Sequence, residues 1–123
     1  MTLPNIRIFF FGFNSIVESL AKKLLEIDLK VTIITDEEQG SKNGTPHLKE
    51  IINICKDSKD LLTYLKQNKS SNNDIHVSIG CPWILKKDHI SLLNDNIYNL
   101  HGTQLPKNRG GTIFSWQILM GNR

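Results

Sequence analysis

Apolar positions along the chain fall into short dense runs separated by longer stretches with helical spacing. Ile6-Arg7-Ile8-Phe9-Phe10-Phe11 is nearly continuous and ends at Gly12, the pattern of a strand covered on both faces. Ser15-Ile16-Val17-Glu18 follows with the spacing of a capping box, in which the hydroxyl and the carboxylate satisfy each other's free backbone donors. It predicts a helix opening at Ser15, with Ile16, Leu20, Leu24 and Ile27 on one stripe. Residues 30–35, carrying Val31, Ile33 and Ile34, read as a second strand, and residues 50–55 as a third. Asp57 or Ser58 then caps a helix carrying Leu61, Leu62 and Leu65. Residues 75–79 and 97–100 read as the fourth and fifth strands. Between them residues 82–93 predict a short helix or turn, with Pro82 early, where its absent N–H costs little. A last helix is expected over residues 112–120, stopped by Gly121. Residues 35–49, with Gly40, Gly44, Pro46 and several charges, and residues 67–74 read as loops.

Strand, helix, strand, repeated, predicts an α/β fold: a Rossmann-like, doubly wound and mainly parallel sheet with helices on its faces. Ligands in such sheets bind beyond the carboxyl ends of the strands, near the point where strand order reverses. On this layout residues 12–14, 80–83 and 101–105 all follow strands and share that edge. The first turn holds a single glycine, Gly12, rather than Gly-x-Gly-x-x-Gly, so close approach of a pyrophosphate is not supported. Asp36, at the end of the second strand, could imitate a ribose-binding acid; without the glycines it reads as a solvated loop residue, and a nicotinamide dehydrogenase is disfavoured.

Composition narrows the classes further. The chain has 123 residues, 39% hydrophobic and 22% charged, as expected of one soluble globular domain. Its 15 Lys and Arg against 12 Asp and Glu give a net charge of +3, but the cations are dispersed, so nucleic acid is not implied. No apolar run approaches the roughly 20 residues needed to span a bilayer, and no basic segment opens the chain, so a cytoplasmic location is expected. Cys55 and Cys81 lack Cys-x-x-Cys spacing and read as buried, reduced thiols. His47 in a loop, His76 in a strand and His89 on a solvated turn have no metal-ligand spacing, and no metal is expected.

The stretch with chemical content is Tyr98-Asn99-Leu100-His101-Gly102-Thr103-Gln104-Leu105-Pro106-Lys107-Asn108-Arg109-Gly110-Gly111. In an extended segment residues two apart share a face, so Asn99 and His101 would project together at the ligand edge. An amide and an imidazole so placed can donate to an oxygen that gains negative charge when a carbonyl is attacked. Histidine also moves protons near neutral pH. Gly102 allows a turn or a close ligand.

Asn99-Leu100-His101-Gly102-Thr103-Gln104-Leu105-Pro106-Lys107-Asn108-Arg109-Gly110 resembles the Asn-x-His-x-Ser-Leu-Leu-Pro-x-Tyr-Arg-Gly motif of formyltransferases that use 10-formyltetrahydrofolate. The similarity spans most of the chain, which would make residues 1–123 the N-terminal part of such a catalytic domain. It implies that Asn99 and His101 stabilise the oxyanion formed when an acceptor amine attacks the formyl carbon. It also implies that Gly80, Cys81, Pro82, Trp83, Ile84 and Leu85 form the segment contacting the pterin, largely through backbone groups. Phe13, Asn14, Gly102, Thr103, Lys107 and Arg109 would then face the acceptor. Asn-Leu-His-Gly resembles the enzymes acting on nucleotide-linked amino sugars more than the His-Pro-Ser form of those acting on glycinamide ribonucleotide or methionyl-tRNA. The sequence departs from the motif at Thr103-Gln104 and Asn108. The family's aspartate, some three dozen residues beyond the histidine, has no counterpart, since no acidic residue follows Asp95. The 123 residues are therefore expected to be a fragment or inactive alone. The alternatives are a non-catalytic folate- or partner-binding half-domain, or formyl transfer to glycinamide ribonucleotide or methionyl-tRNA. Ile113, Phe114, Trp116, Ile118, Leu119 and Met120, apolar on more than one side of the expected last helix, call for cover from a downstream segment or another copy of the chain.

Overall fold

The computed structural model describes residues 5–42, 46–102 and 114–118, the last five and residues 101–102 through their backbone. Strands β1 (Arg7–Phe11), β2 (Lys30–Thr35), β3 (Ile52–Ile54), β4 (Asp74–Ile79), β5 (Ile97–Gly102) and β6 (Phe114–Ile118) form one sheet in the order β3-β2-β1-β4-β5-β6. The first five are parallel, and β6 runs antiparallel to β5. The fold is Rossmann-like and doubly wound, and strand order reverses between β1 and β4.

Helices on both sides explain the continuous apolar runs. Helix α1 (Ser15–Glu26) presses Val17 and Ala21 onto one face, where Ile8, Phe10, Val31 and Ile33 are buried with Leu48. Helices α3 (Ser58–Gln67) and α4 (Lys87–Leu92) lie on the other face, where Leu61, Leu65 and Leu93 cover Phe9, Phe11, Ile34 and Ile97. Leu61 and Leu65 are almost fully buried, each contributing on the order of 2 kcal/mol.

Several expectations are corrected. The cap of α1 is Asn14, whose Oδ1 accepts from the Val17 N–H at 3.1 Å, and Ser15 is already helical. The stripe Ile16, Leu20, Leu24, Ile27 is not the buried one: Ile27 is 66% exposed, whereas Val17 and Ala21 are fully buried. Ala21 has no bulk beyond Cβ, so this face packs closest to the sheet. The expected loop over 35–49 contains helix α2 (Glu37–Lys42) and a 3-10 turn (Pro46–Ile51). Residues 114–118, expected in a helix, form β6. Phe114-Ser115-Trp116-Gln117-Ile118 alternates apolar with polar, and aromatic and β-branched side chains favour a strand when a partner edge is at hand. Asp57 caps α3, accepting from the Asp60 N–H at 2.8 Å.

On the α1 side, beyond the helix, an apolar groove of about 630 Å³ lies between Ile16, Leu20 and Leu24 of α1 and Ile75, Val77 and Leu100 of β4 and β5. Among the described residues no helix is long and apolar enough to cross a membrane.

Candidate functional site

The carboxyl edge begins with the turns after β1 and β4, which touch main chain to main chain. Gly12 has φ +114°, and a Cβ there would collide with the Ile79 carbonyl oxygen and lie 2.9 Å from Gly80 backbone atoms. Gly80 has φ +65° and adjoins the Asn14 amide. Two side-chain amides fasten this junction. Asn14, while capping α1 through its oxygen, donates from Nδ2 to the Ile79 carbonyl at 3.0 Å. Gln39 of α2 accepts at Oε1 from the Phe13 N–H at 2.8 Å and the Thr35 hydroxyl at 2.7 Å, and donates from Nε2 to the Gly80 carbonyl at 2.9 Å. The orientation of this amide follows from its partners, because the Phe13 N–H can only donate and the Gly80 carbonyl can only accept. One residue thus joins the ends of β1, β2 and β4.

Residues 80–85 leave this junction across the face that carries α3 and α4. Cys81, Trp83 and Leu85 pack against the layer containing Phe9, Phe11 and Ile97, while Ile84 is 80% exposed. Burial pushes the Cys81 thiol up, an effect partly offset by hydrogen bonds with the Trp83 backbone and the Ser78 hydroxyl. Ser78 is itself buried and stands in register with Asn99 of β5. Asn99 is half-buried and shares its strand face with Ile97. Alternation along β5 therefore sets positions 97 and 99 on the face that the 80–85 segment crosses. A polar step of Ser78, Cys81 and Asn99 interrupts an otherwise apolar layer at the carboxyl edge.

The sequence-derived site residues divide accordingly. Gly80–Leu85 and Asn99 share one face and one edge, and His101 lies in β5 opposite Ser115 of β6. Phe13 is a core residue, 1% exposed, and the Asn14 amide is engaged in capping and bracing. Gly102 ends β5. Thr103, Lys107 and Arg109 lie outside the described residues. Asp36 is a capping residue, its Oδ1 accepting from the Gln39 N–H at 2.9 Å. Gln39 was hidden in the supposed loop, although Asp36-Glu37-Glu38-Gln39 has the spacing of a helix start.

A second polar cluster lies at the opposite, amino edge. Arg7 Nε and Nη2 donate to the two Asp74 oxygens at 2.9 and 2.6 Å, and Asp74 also accepts from the Ser71 N–H and hydroxyl. Burial alone would raise the Asp74 carboxyl; the Arg7 guanidinium and the Ser71 donors more than offset it and hold it low. His76 is 1% exposed, with Nδ1 2.7 Å from the Asn96 carbonyl and Nε2 2.7 Å from the Ser70 hydroxyl. Nδ1 must therefore carry a proton, since the carbonyl can only accept, and the Ser70 hydroxyl lies between Nε2 and Asp74 Oδ2. Burial pulls the His76 pKa down, against the opposing pull of the Asn96 carbonyl. Serine, histidine and aspartate are close here, but the aspartate serves Arg7 and the imidazole is anchored on main chain, so the cluster is structural.

His89, expected on a solvated turn, is 4% exposed. Its Nδ1 accepts from the Lys86 N–H at 3.0 Å and its Nε2 donates to the Ser58 carbonyl at 2.9 Å, tying α4 to α3. Cys55 is buried, its thiol pushed up to about 11, and Cys81 is half-buried; both are free thiols. Among the described residues no group of three or more His, Cys, Asp or Glu side chains could hold a metal ion. No protein-family model and no curated protein matches the chain.

Proposed function

We propose that the chain is the N-terminal part of a formyltransferase catalytic domain that moves a formyl group from 10-formyltetrahydrofolate to the amine of a nucleotide-linked amino sugar. The observation that carries this reading is the meeting of two separately recognised pieces. Asn99 of the Asn-Leu-His motif and the Gly80–Leu85 segment, 14 positions apart at their nearest, share one sheet face at the carboxyl edge. In the proposed reaction the acceptor nitrogen attacks the formyl carbon and a C–N bond forms. The carbonyl oxygen becomes an oxyanion held by donors at Asn99 and His101, and the bond to the folate N10 then breaks as the electron pair returns to that nitrogen. The attacking amine loses one proton and N10 gains one.

A second reading is a non-catalytic folate-binding half-domain, in which the same edge holds the cofactor without a general base. Lack of a general base costs on the order of 10²–10⁴-fold in rate, so such a module would bind folate without useful turnover. Titration with the stable analogue 5-formyltetrahydrofolate, followed by tryptophan fluorescence, tests what both readings share. Saturable quenching through Trp83 is expected, and a flat titration at millimolar ligand would sink both. Release of tetrahydrofolate in the presence of 10-formyltetrahydrofolate and a nucleotide-linked amino sugar separates catalyst from binding module.

A further inference from the structure

We infer that Gln39 is a positioning residue for the folate segment, fixing Gly80–Leu85 by its hydrogen bond to the Gly80 carbonyl. The inference rests on the folate reading above and extends it to a residue outside the motif. A segment that recognises its ligand through backbone groups is sensitive to where its main chain lies rather than to which side chains it carries. The far part of the segment is anchored by burial of Trp83 and Leu85 on the layer beneath. Its near end turns at Gly80, in the left-handed region, where only bonds to the main chain can fix its direction.

Two consecutive carbonyls at that turn are each held by one side-chain amide, Ile79 by Asn14 and Gly80 by Gln39. Asn14 also caps α1, so its removal disturbs a helix as well as the turn. Gln39 is the more selective hold. Its Oε1 is pinned between the Phe13 N–H and the Thr35 hydroxyl, and its backbone N–H is pinned by Asp36, which leaves Nε2 aimed at Gly80. Thr35 is fully buried, so the anchor beneath is rigid.

Gln39→Glu separates the two functions of this amide. Its carboxylate still accepts from Phe13 and Thr35, but turns an oxygen instead of a donor toward the Gly80 carbonyl. Gln39→Leu removes every contact, and Glu37→Gln in the same helix serves as control. Alkylation of Cys81 by iodoacetamide, one residue beyond Gly80, reports the segment without any ligand, and buried Cys55 is the internal reference. Loss of one hydrogen bond of this kind predicts roughly tenfold faster Cys81 labelling and roughly tenfold weaker 5-formyltetrahydrofolate binding in Gln39→Glu, with unchanged Cys55 labelling and a thermal midpoint near wild type. Gln39→Leu should show the same with a lower midpoint, and Glu37→Gln neither effect. Unchanged Cys81 labelling in both Gln39 variants overturns the inference. Faster labelling with undiminished folate affinity also overturns it, while the folate reading stands. Faster labelling with no folate binding by the wild type overturns the folate reading, and reduces Gln39 to a brace of the fold.

Discussion

Replacing Arg7 with methionine should destabilise the protein more than neutralising its partner Asp74, because the two charges are unequally buried. The Asp74 side chain is 0% exposed, whereas that of Arg7 is 39% exposed. Arg7→Met keeps an unbranched stem against Phe9, whose ring centre lies 5.2 Å from the guanidinium carbon, and strands a buried carboxylate. Breaking a buried pair in this way costs about 3–5 kcal/mol, and the Ser71 N–H and hydroxyl that remain on the carboxylate favour the lower end, about 3 kcal/mol. Asp74→Asn leaves a half-exposed guanidinium that water can solvate and keeps one acceptor oxygen, so about 1–2 kcal/mol is expected. The pH dependence provides an independent sign. In the wild type the Asp74 pKa is held below its ordinary 3.8, so this contribution is present above 3.8 and is lost as pH falls through the lower folded value. In Arg7→Met burial dominates and the carboxyl is pushed up, so the variant loses stability as pH rises. Urea unfolding at pH 7 and pH 4 should therefore show the Arg7→Met deficit widest at pH 7 and narrowed at pH 4. An equal deficit at both values, or Asp74→Asn as the worse variant at pH 7, would refute the reasoning.

Three further outcomes follow from the described geometry. With its folded pKa pulled below 6.5, His76 binds a proton less readily in the folded than in the unfolded chain; stability should start to fall as pH drops below about 6.5, and in His76→Phe urea midpoints should lose that slope. Gly12→Ala should cost about 3 kcal/mol or more, because a Cβ meets backbone at a positive φ, whereas Gly80→Ala meets only the end of the Asn14 side chain and should cost about 1–2 kcal/mol, both read from chemical unfolding. Asp57→Ala should lower stability by about 1 kcal/mol through loss of the α3 cap, while Ser58→Ala leaves the thermal midpoint within a degree or two.

The parallel strands were the most legible part of the chain. Ile8-Phe9-Phe10-Phe11 and Val31-Thr32-Ile33-Ile34 allow few alternatives, because a run apolar on both sides must be covered on both sides. Helix starts were harder, since neighbouring residues compete for the same backbone donors. Asn14 won over Ser15 because its longer amide caps α1 and still reaches the Ile79 carbonyl. The buried stripe of α1 is hard to read from the sequence because its large residues lie on another stripe, whereas the helix approaches the sheet along Val17 and Ala21. Residues 114–118 carry spacing compatible with either element, and the free edge of β5 decided for a strand. At the site, the Asn-Leu-His motif and the 80–85 segment could be picked out as sequence. Gln39, the Arg7–Asp74 pair and His89 could not, because partners that define their roles, Phe13, Asp74 and Ser58, lie between 26 and 67 positions away.

Doubly wound sheets usually keep a cleft where strand order reverses, and a phosphate commonly enters it against a glycine. Here the glycine after β1 serves a different approach, that of one protein backbone to another. Gly12 is seated on the Ile79 carbonyl and two amides are stitched across, so the turns after β1 and β4 are fastened to each other. The Ser78 and Asn99 pair lies about one strand spacing, roughly 4.8 Å, to the side of that junction toward β5. On the formyl-transfer reading proposed above, the chemistry then belongs to the flank where Ser78 and Asn99 stand in register.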